Sequence, residues 1–490
     1  RQNDKGSKTD VEKVNKQSRW PISLAIIIVV IVVSIVLTLA YWVPSGKLSF
    51  QAITDGAGGA IIAWQNGEGI YTQRIGSDGE PLWTEDGVLV CSEPTLPEDF
   101  ALTGDGLGGV IITWDDRANL SDDREDPAFF APIPVYSQRI NADGEPSWGN
   151  GTPTGTNQRY GEHLPQVVPD GAGGAIIAWD DFQPVYRALC DDYLRLQKID
   201  PEGNPMWAEE GVLVCSSSPF RPVTPEERER GEKGTFTRSR PTYRGCHKVV
   251  SDGSGGTIVV WEEEEAGGTH VCYAQRFDEG GQPVWKEGGI PISTISSEAK
   301  ITLVVSDGFG GAILVLGSNG SHNAQRMNAG GKLLWPEGGV NLWRVGHQIA
   351  SDGLGGAILS MEERRHPPRT DPRVTGQSIL YAERLDGEGH LLWPEELLFI
   401  TKEGQWLQSD FASDSSGGTV IAWRIGEHTS NWKGKVFAQR LDAAGKLLWG
   451  EKGVMVFTSP DLNYQGSPEV VSHGSGGAIV LAVVGEKPLR

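Results

Sequence analysis

Along most of this chain, apolar residues come in short runs separated by Gly- and Asp-rich clusters, a rhythm too short for helices and suited to β-strands. Eight times an apolar stretch is followed by a D-G-x-G-G turn and a second apolar run: at Asp55, Asp105, Asp170, Asp252, Asp307, Asp352, Asp414 (as DSSGG) and a degenerate copy at His473. Nine residues after each stands the end of the second run, at Trp64, Trp114, Trp179, Trp261, Leu316, Met361, Trp423 and Ala482. The spacing does not vary. A hairpin that buries both faces tolerates no one-residue slip, because a slip would exchange its faces.

A second motif, in strings such as YAQRFDEGGQPVW and FAQRLDAAGKLLW, follows seven of the eight. Its basic residue (Arg74, Arg139, Lys198, Arg276, Arg326, Arg384, Arg440) always precedes a tryptophan (Trp83, Trp148, Trp207, Trp285, Trp335, Trp393, Trp449) by nine positions. Each unit therefore predicts four strands, A (as PEVVS), B (GAIIAW), C (YAQRLD) and D (KLLW to GVMV). Strand B is apolar at consecutive positions, as in a strand covered on both faces by neighbouring sheets. Repeated four-stranded units predict an all-β fold, a β-propeller whose ring protects its sheet edges. Eight A–B hairpins and seven C–D hairpins favour eight blades, the last one short; seven blades with an added hairpin is the alternative.

The D-x-x-G-K-L-L-W string, with A-Q-R before it and P-x-V-V-S-D-G at the next strand A, resembles the tryptophan-docking repeat of quinoprotein-type (PQQ-like) propellers, over residues 48–490 at the level of the repeat. The resemblance implies blades locked by the strand-D tryptophans. The turn before the Gly is one residue shorter here. Quinoprotein-type enzymes commonly carry a vicinal cysteine pair and calcium ligands, and this chain has no adjacent cysteines, so no cofactor is expected.

One stretch breaks the rhythm. Residues 20–46 contain no charge, and 22–43 is almost wholly Ile, Val, Leu and Ala, about 33 Å as a helix and enough to cross a bilayer core. Trp20 at one end and Tyr41 with Trp42 at the other match an interfacial aromatic belt. The sequence thus predicts a basic cytoplasmic tail (1–19), a transmembrane helix (20–43) and an extracytoplasmic propeller (44–490); a cleaved signal peptide is the rival reading. Six Lys or Arg against three acids give the tail +3, so the −21 of the whole chain leaves −24 for the rest. So acidic a body repels phosphate backbones, which argues against nucleic acid as a partner.

Five cysteines without C-x-x-C exclude a thioredoxin-type dithiol and a common zinc spacing. Cys91 and Cys215, both in GVLVCS, read as strand packing, while Cys190, Cys246 and Cys272 have the makings of one disulfide. The turn aspartates invite a calcium reading, but Asp capping its own turn with Gly at positive φ explains them better. No metal site is expected. The nine histidines form no repeated pair, and no catalytic residue stands out.

Length varies only in B–C connections (115–134, 180–192, 362–377, 424–435) and in one D–A connection (216–245). Both connections leave an antiparallel blade on the same side, so variation is confined to one face, where binding is expected. The candidate partner face has acids directly after strand B, Asp115, Asp116, Asp180, Asp181, Glu262, Glu263, Glu362 and Glu363, and a basic, proline-containing arm with Arg228, Arg230, Arg238 and Arg240. The function expected is a non-catalytic, membrane-anchored scaffold docking an extracytoplasmic partner, a membrane complex or a surface layer. A glycoside hydrolase or quinoprotein-type enzyme and a glycan-binding lectin are the alternatives.

Overall fold

A computed structural model describes residues 23–32, 35–44, 49–65, 69–92, 100–116, 133–157, 165–185, 189–216, 242–264, 270–292, 300–318, 321–342, 346–365, 377–393, 398–400, 405–427, 434–458, 462–474 and 476–486. They form an all-β propeller of four-stranded antiparallel blades. The blades contiguous in sequence number seven, the alternative above and not the favoured eight: 49–91, 100–157, 166–216, 242–291, 300–342, 346–400 and 405–458. Their A strands follow one another round the axis.

An eighth four-stranded sheet stands between the seventh blade and the first. Its inner strands are Leu462–Ser472 and Ala478–Glu486, and its outer two are Ser23–Val32 and Ile35–Pro44. The apolar stretch that predicts a helix is thus drawn as two strands, the first paired antiparallel with Ala478–Glu486. Ile and Val, branched at Cβ, suit a strand as readily as a membrane helix, and the unpaired edge of Ala478–Glu486 offers them a ladder. No helix among the described residues is long and apolar enough to cross a membrane.

The core lies between blades, in one cluster per interface. Strand B explains why: Ala60–Gln65, Val110–Asp115 and the first six residues of Thr257–Glu264 are buried at every position. Alternate side chains of one B strand therefore join different clusters, Ile61 and Ala63 packing with blade two while Ile62 and Trp64 pack with the eighth sheet. The tryptophan ending strand B stacks on the aromatic residue opposite it on strand C, as in Trp64 on Tyr71 and Trp261 on Tyr273 with centroids 5.9 Å apart.

The A–B turn is built as its residues dictate. In blade one, Asp55 Oδ1 accepts the Ala57 and Gly59 amides at 2.8 and 2.7 Å. Gly58 has φ of +89°, and a Cβ on Gly59 would fall 2.2 Å from the Ile75 carbonyl. Only glycine fits both requirements.

Candidate functional site

Three layers of polar side chains set the chemistry of the disc. The first lies on the face with constant turns. Arg326 donates from Nε and Nη2 to Asp307 Oδ2 at 3.0 and 2.9 Å, and from Nη1 to the Gly387 carbonyl of the next blade at 3.0 Å. The Trp335 indole donates to that same carbonyl at 3.0 Å. One arginine and one tryptophan thus grip a single carbonyl of the neighbouring C–D turn. The grip recurs with Arg74 and Trp83 on Ala142, Arg139 and Trp148 on Pro201, Arg276 and Trp285 on Ala329, and Arg384 and Trp393 on Ala443. At the third joint Lys198 reaches Asp170 and Gly255 O, while Trp207 holds Glu279 O. In Asp252 burial opposes ionisation, but the Ser254 amide, Arg276 and the Gly256 amide together hold the carboxyl below its ordinary range.

The motif glutamine completes the C–D hairpin: Gln275 accepts the Arg276 and Trp285 amides and donates to Lys286 O. Each of the seven strand-D tryptophans, expected to be structural, takes part in at least one of these hydrogen bonds. The pairing of turn Asp with motif Arg is not evident in the sequence, since the B–C loop between them changes length. The available signal was that both belong to rigid hairpins ending on the same face.

Elsewhere on that face, Asp386, Glu388 and His390 bring three potential metal donors within 4.8 Å. Asp386 Oδ1 caps the amides of Glu388 and His390. Asn141, Asp278 and Asn328 do the same in their own blades, so the turn accounts for the residue.

The second layer is the varied face. Asp115, Asp180 and Glu262 do not extend into solvent but are buried, at 0, 4 and 2% exposure. Each first acid reaches towards the next blade where its partner is seen: Asp180 Oδ1 lies 3.1 Å from His247 Nδ1 on strand A of blade four, and Glu262 accepts the Ile301 amide of blade five at 2.7 Å. The second acids are diverse. Asp181 pairs with Arg195 at 2.6 Å, Glu263 accepts the Trp261 indole at 2.7 Å, and Asp116 is half-buried. Burying a carboxylate is tolerated only with such partners. The side chains of Glu362 and Glu363, and Arg228, Arg230, Arg238 and Arg240, lie outside the described residues, as do the side chains of Cys190 and Cys246. Cys215 is buried in the strand cluster it was expected to join, and burial pushes its thiol well up, helped by the charges of Glu263 and Asp180.

The third layer lies on the A strands four residues before the turn residue, where the side chain is polar in all but blades two and five, which carry Ala101 and Leu303. Gln166 of blade three donates to His247 O at 2.8 Å and accepts the Val249 amide at 3.1 Å, clipping one edge of the next A strand at two points with one amide. Gln51 donates to Phe100 O at 2.8 Å. At the equivalent place in blade seven and the eighth sheet the residues are Asp410 and Glu469. Asp410 accepts the Val470 amide at 2.6 Å and Gln348 Nε2 at 2.5 Å, and Glu469 accepts the Ala52 amide of blade one. Burial raises Asp410 to about 6, with the Val470, Phe411 and Gln348 bonds opposing. Glu469 is raised well above its ordinary value, by burial first and by the Asp410 charge second.

No protein-family model matches the chain, and no curated protein matches it. Solved structures similar to it include a prolyl endopeptidase (11% identity, TM-score 0.40, covering 90% of this chain and 55% of that one). A puromycin hydrolase matches at 13% identity and TM-score 0.41, over 86% of this chain and 56% of that one. An oligogalacturonate lyase from Vibrio parahaemolyticus matches at 9% identity and TM-score 0.36, over 95% and 98%. The chain thus spans just over half the length of the first two.

Proposed function

We propose that this protein is a non-catalytic docking scaffold whose varied face receives a protein partner. The observation that carries the reading is that its B–C hairpins stand to different heights on that face. Blade one ends its hairpin after six-residue strands, Ala60–Gln65 and Ile70–Ile75, whereas blade three continues through eleven, Ala175–Val185 and Leu189–Ile199. Hairpins of unequal height form a sculpted surface on a constant base, the arrangement in which loops on a scaffold provide recognition. The acids at the foot of these hairpins are engaged between blades, at Asp180 with His247 and Glu262 with Ile301. That favours a structural role for them over general acid–base work, which needs a carboxyl within reach of substrate.

The scaffold is proposed to sit outside the cytoplasm, held at a membrane by the apolar segment 20–43, beside a membrane complex or a surface layer. Insertion of that segment and its pairing with Ala478–Glu486 exclude each other. Alkaline extraction of membranes, with protease added to intact cells, tests the anchorage: retention in the pellet with a digested propeller is expected, and release or a protected propeller contradicts it. For docking, shortening 216–245 to the usual connector length should leave the melting temperature nearly unchanged while a stoichiometric partner is lost on purification. Retention of every partner would remove the arm from the interface, and a bound cofactor or a glycan-array signal would favour the enzyme or the lectin.

A further inference from the structure

We propose that the eighth sheet is clasped to the first blade by a proton on Glu469, so that this joint of the ring tightens in acid and loosens as the pH rises. The argument starts from Gln166, whose amide accepts an N–H three residues before the neighbouring turn and donates to a carbonyl two residues earlier, Val249 N and His247 O. Glu469 occupies the same register with a side chain of the same length and accepts the equivalent amide, Ala52 N. The donating half of the clip is what an ionised carboxylate lacks. A protonated carboxyl has it: one oxygen accepts from Ala52 while the O–H is free to donate to the Phe50 carbonyl, the counterpart of His247 O.

The surroundings favour the protonated form. The groups that act on Glu469 are burial, the Asp410 carboxylate on the neighbouring A strand and the Ala52 amide. Asp410 in turn meets Val470 N, Phe411 N and the neutral Gln348, and no cation is among the groups that shift either carboxyl. The cation that shares their register, Lys248 in blade four, is exposed, and Arg424 is buried one strand outward on blade seven. Two carboxylates on adjacent A strands repel when both are charged, and a proton taken up from water by one of them relieves this. The sign follows. A carboxyl raised in the folded state binds its proton more tightly there, so its contribution is complete below the ordinary value of 4.5 and is lost as pH climbs through the raised one.

The test compares the full chain in detergent with Glu469→Gln, which installs the amide found at position 166. The unfolding equilibrium of each is measured between pH 4 and pH 8. The two should be closely matched near pH 4, and the variant should become more stable by about tenfold or more in the unfolding constant at pH 8. A difference that does not change with pH overturns the proposal. Gln166→Glu made together with Lys248→Gln, which removes the cation of that register, provides the converse: compared with Lys248→Gln alone it should lose stability as pH rises, and a flat difference between the two would equally count against the clasp.

Discussion

The joint between blades five and six and the joint between blade seven and the eighth sheet use the same residues to different effect. At the first, Arg326 donates twice to Asp307 Oδ2 and shares the Gly387 carbonyl with Trp335, itself 4% exposed. At the second, Arg440 approaches Asp414 only to 3.7 Å, its Nε has no partner, and the Trp449 indole finds no acceptor among the described residues. The reason is geometric. Residues 33–34, which join the outer strands of the eighth sheet where the other blades carry their C–D turn, lie outside the described residues; among the described ones Arg440 meets Gly476, where a Cβ would fall 2.0 Å from the guanidinium, and no turn carbonyl. A side chain retained by the repeat is thus worth only what its neighbour presents to it.

The largest effect that can break this comparison is expected at the tryptophans. Trp335→Ala removes a buried ring and its indole bond and should cost about 3–5 kcal/mol, while Trp449→Ala, half-buried and with no indole acceptor among the described residues, should cost about 1–2. Equal losses in chemical denaturation would show that the two joints are alike. Next, Arg326→Met leaves Asp307 buried with only its turn amides and should cost about 3 kcal/mol, against less than about 1 for Arg440→Met.

A smaller effect, of opposite sign, is expected on the A strands. Asp410 is held at about 6 rather than 3.8, so its contribution is present below pH 4 and lost as pH rises through about 6. Asp410→Asn should therefore stabilise the protein by about 1–3 kcal/mol at pH 8 and hardly at all at pH 4. A stabilisation equal at both would mean that packing, not ionisation, distinguishes the residue. The smallest effect belongs to the exposed turn of blade six, where His390→Ala should stay within about 0.5 kcal/mol and added zinc should not change the melting temperature.

How far the molecule was legible in its sequence follows the same division. Whatever sits inside one hairpin was readable, because its register is local: the Asp55 turn, the Gln–Arg–Trp string and the strand-B run all appear as read. Contacts between hairpins were not. Nothing in the spacing of Asp180 and His247, or of Gln166 and Val249, announces that the ring brings them together, nor that Asp115, Asp180 and Glu262 of the candidate partner face are buried. The apolar segment 20–43 satisfies two patterns at once, since a run of Ile and Val has no polar face to decide between helix and strand. The eighth sheet was half-visible for a related reason, its outer pair being distant in sequence from its inner hairpin.

Native-state hydrogen exchange in low denaturant, followed by mass spectrometry, tests most directly the claim that the ring is held by neighbour-gripping side chains and is weakest where they find nothing to grip. Amides in 468–472 and 478–482 should open at a free energy at least about 2 kcal/mol below those in 258–261 and 312–316, whose blades are gripped at the joint they share. Protection that is uniform across the eighth sheet and blades four and five would contradict it.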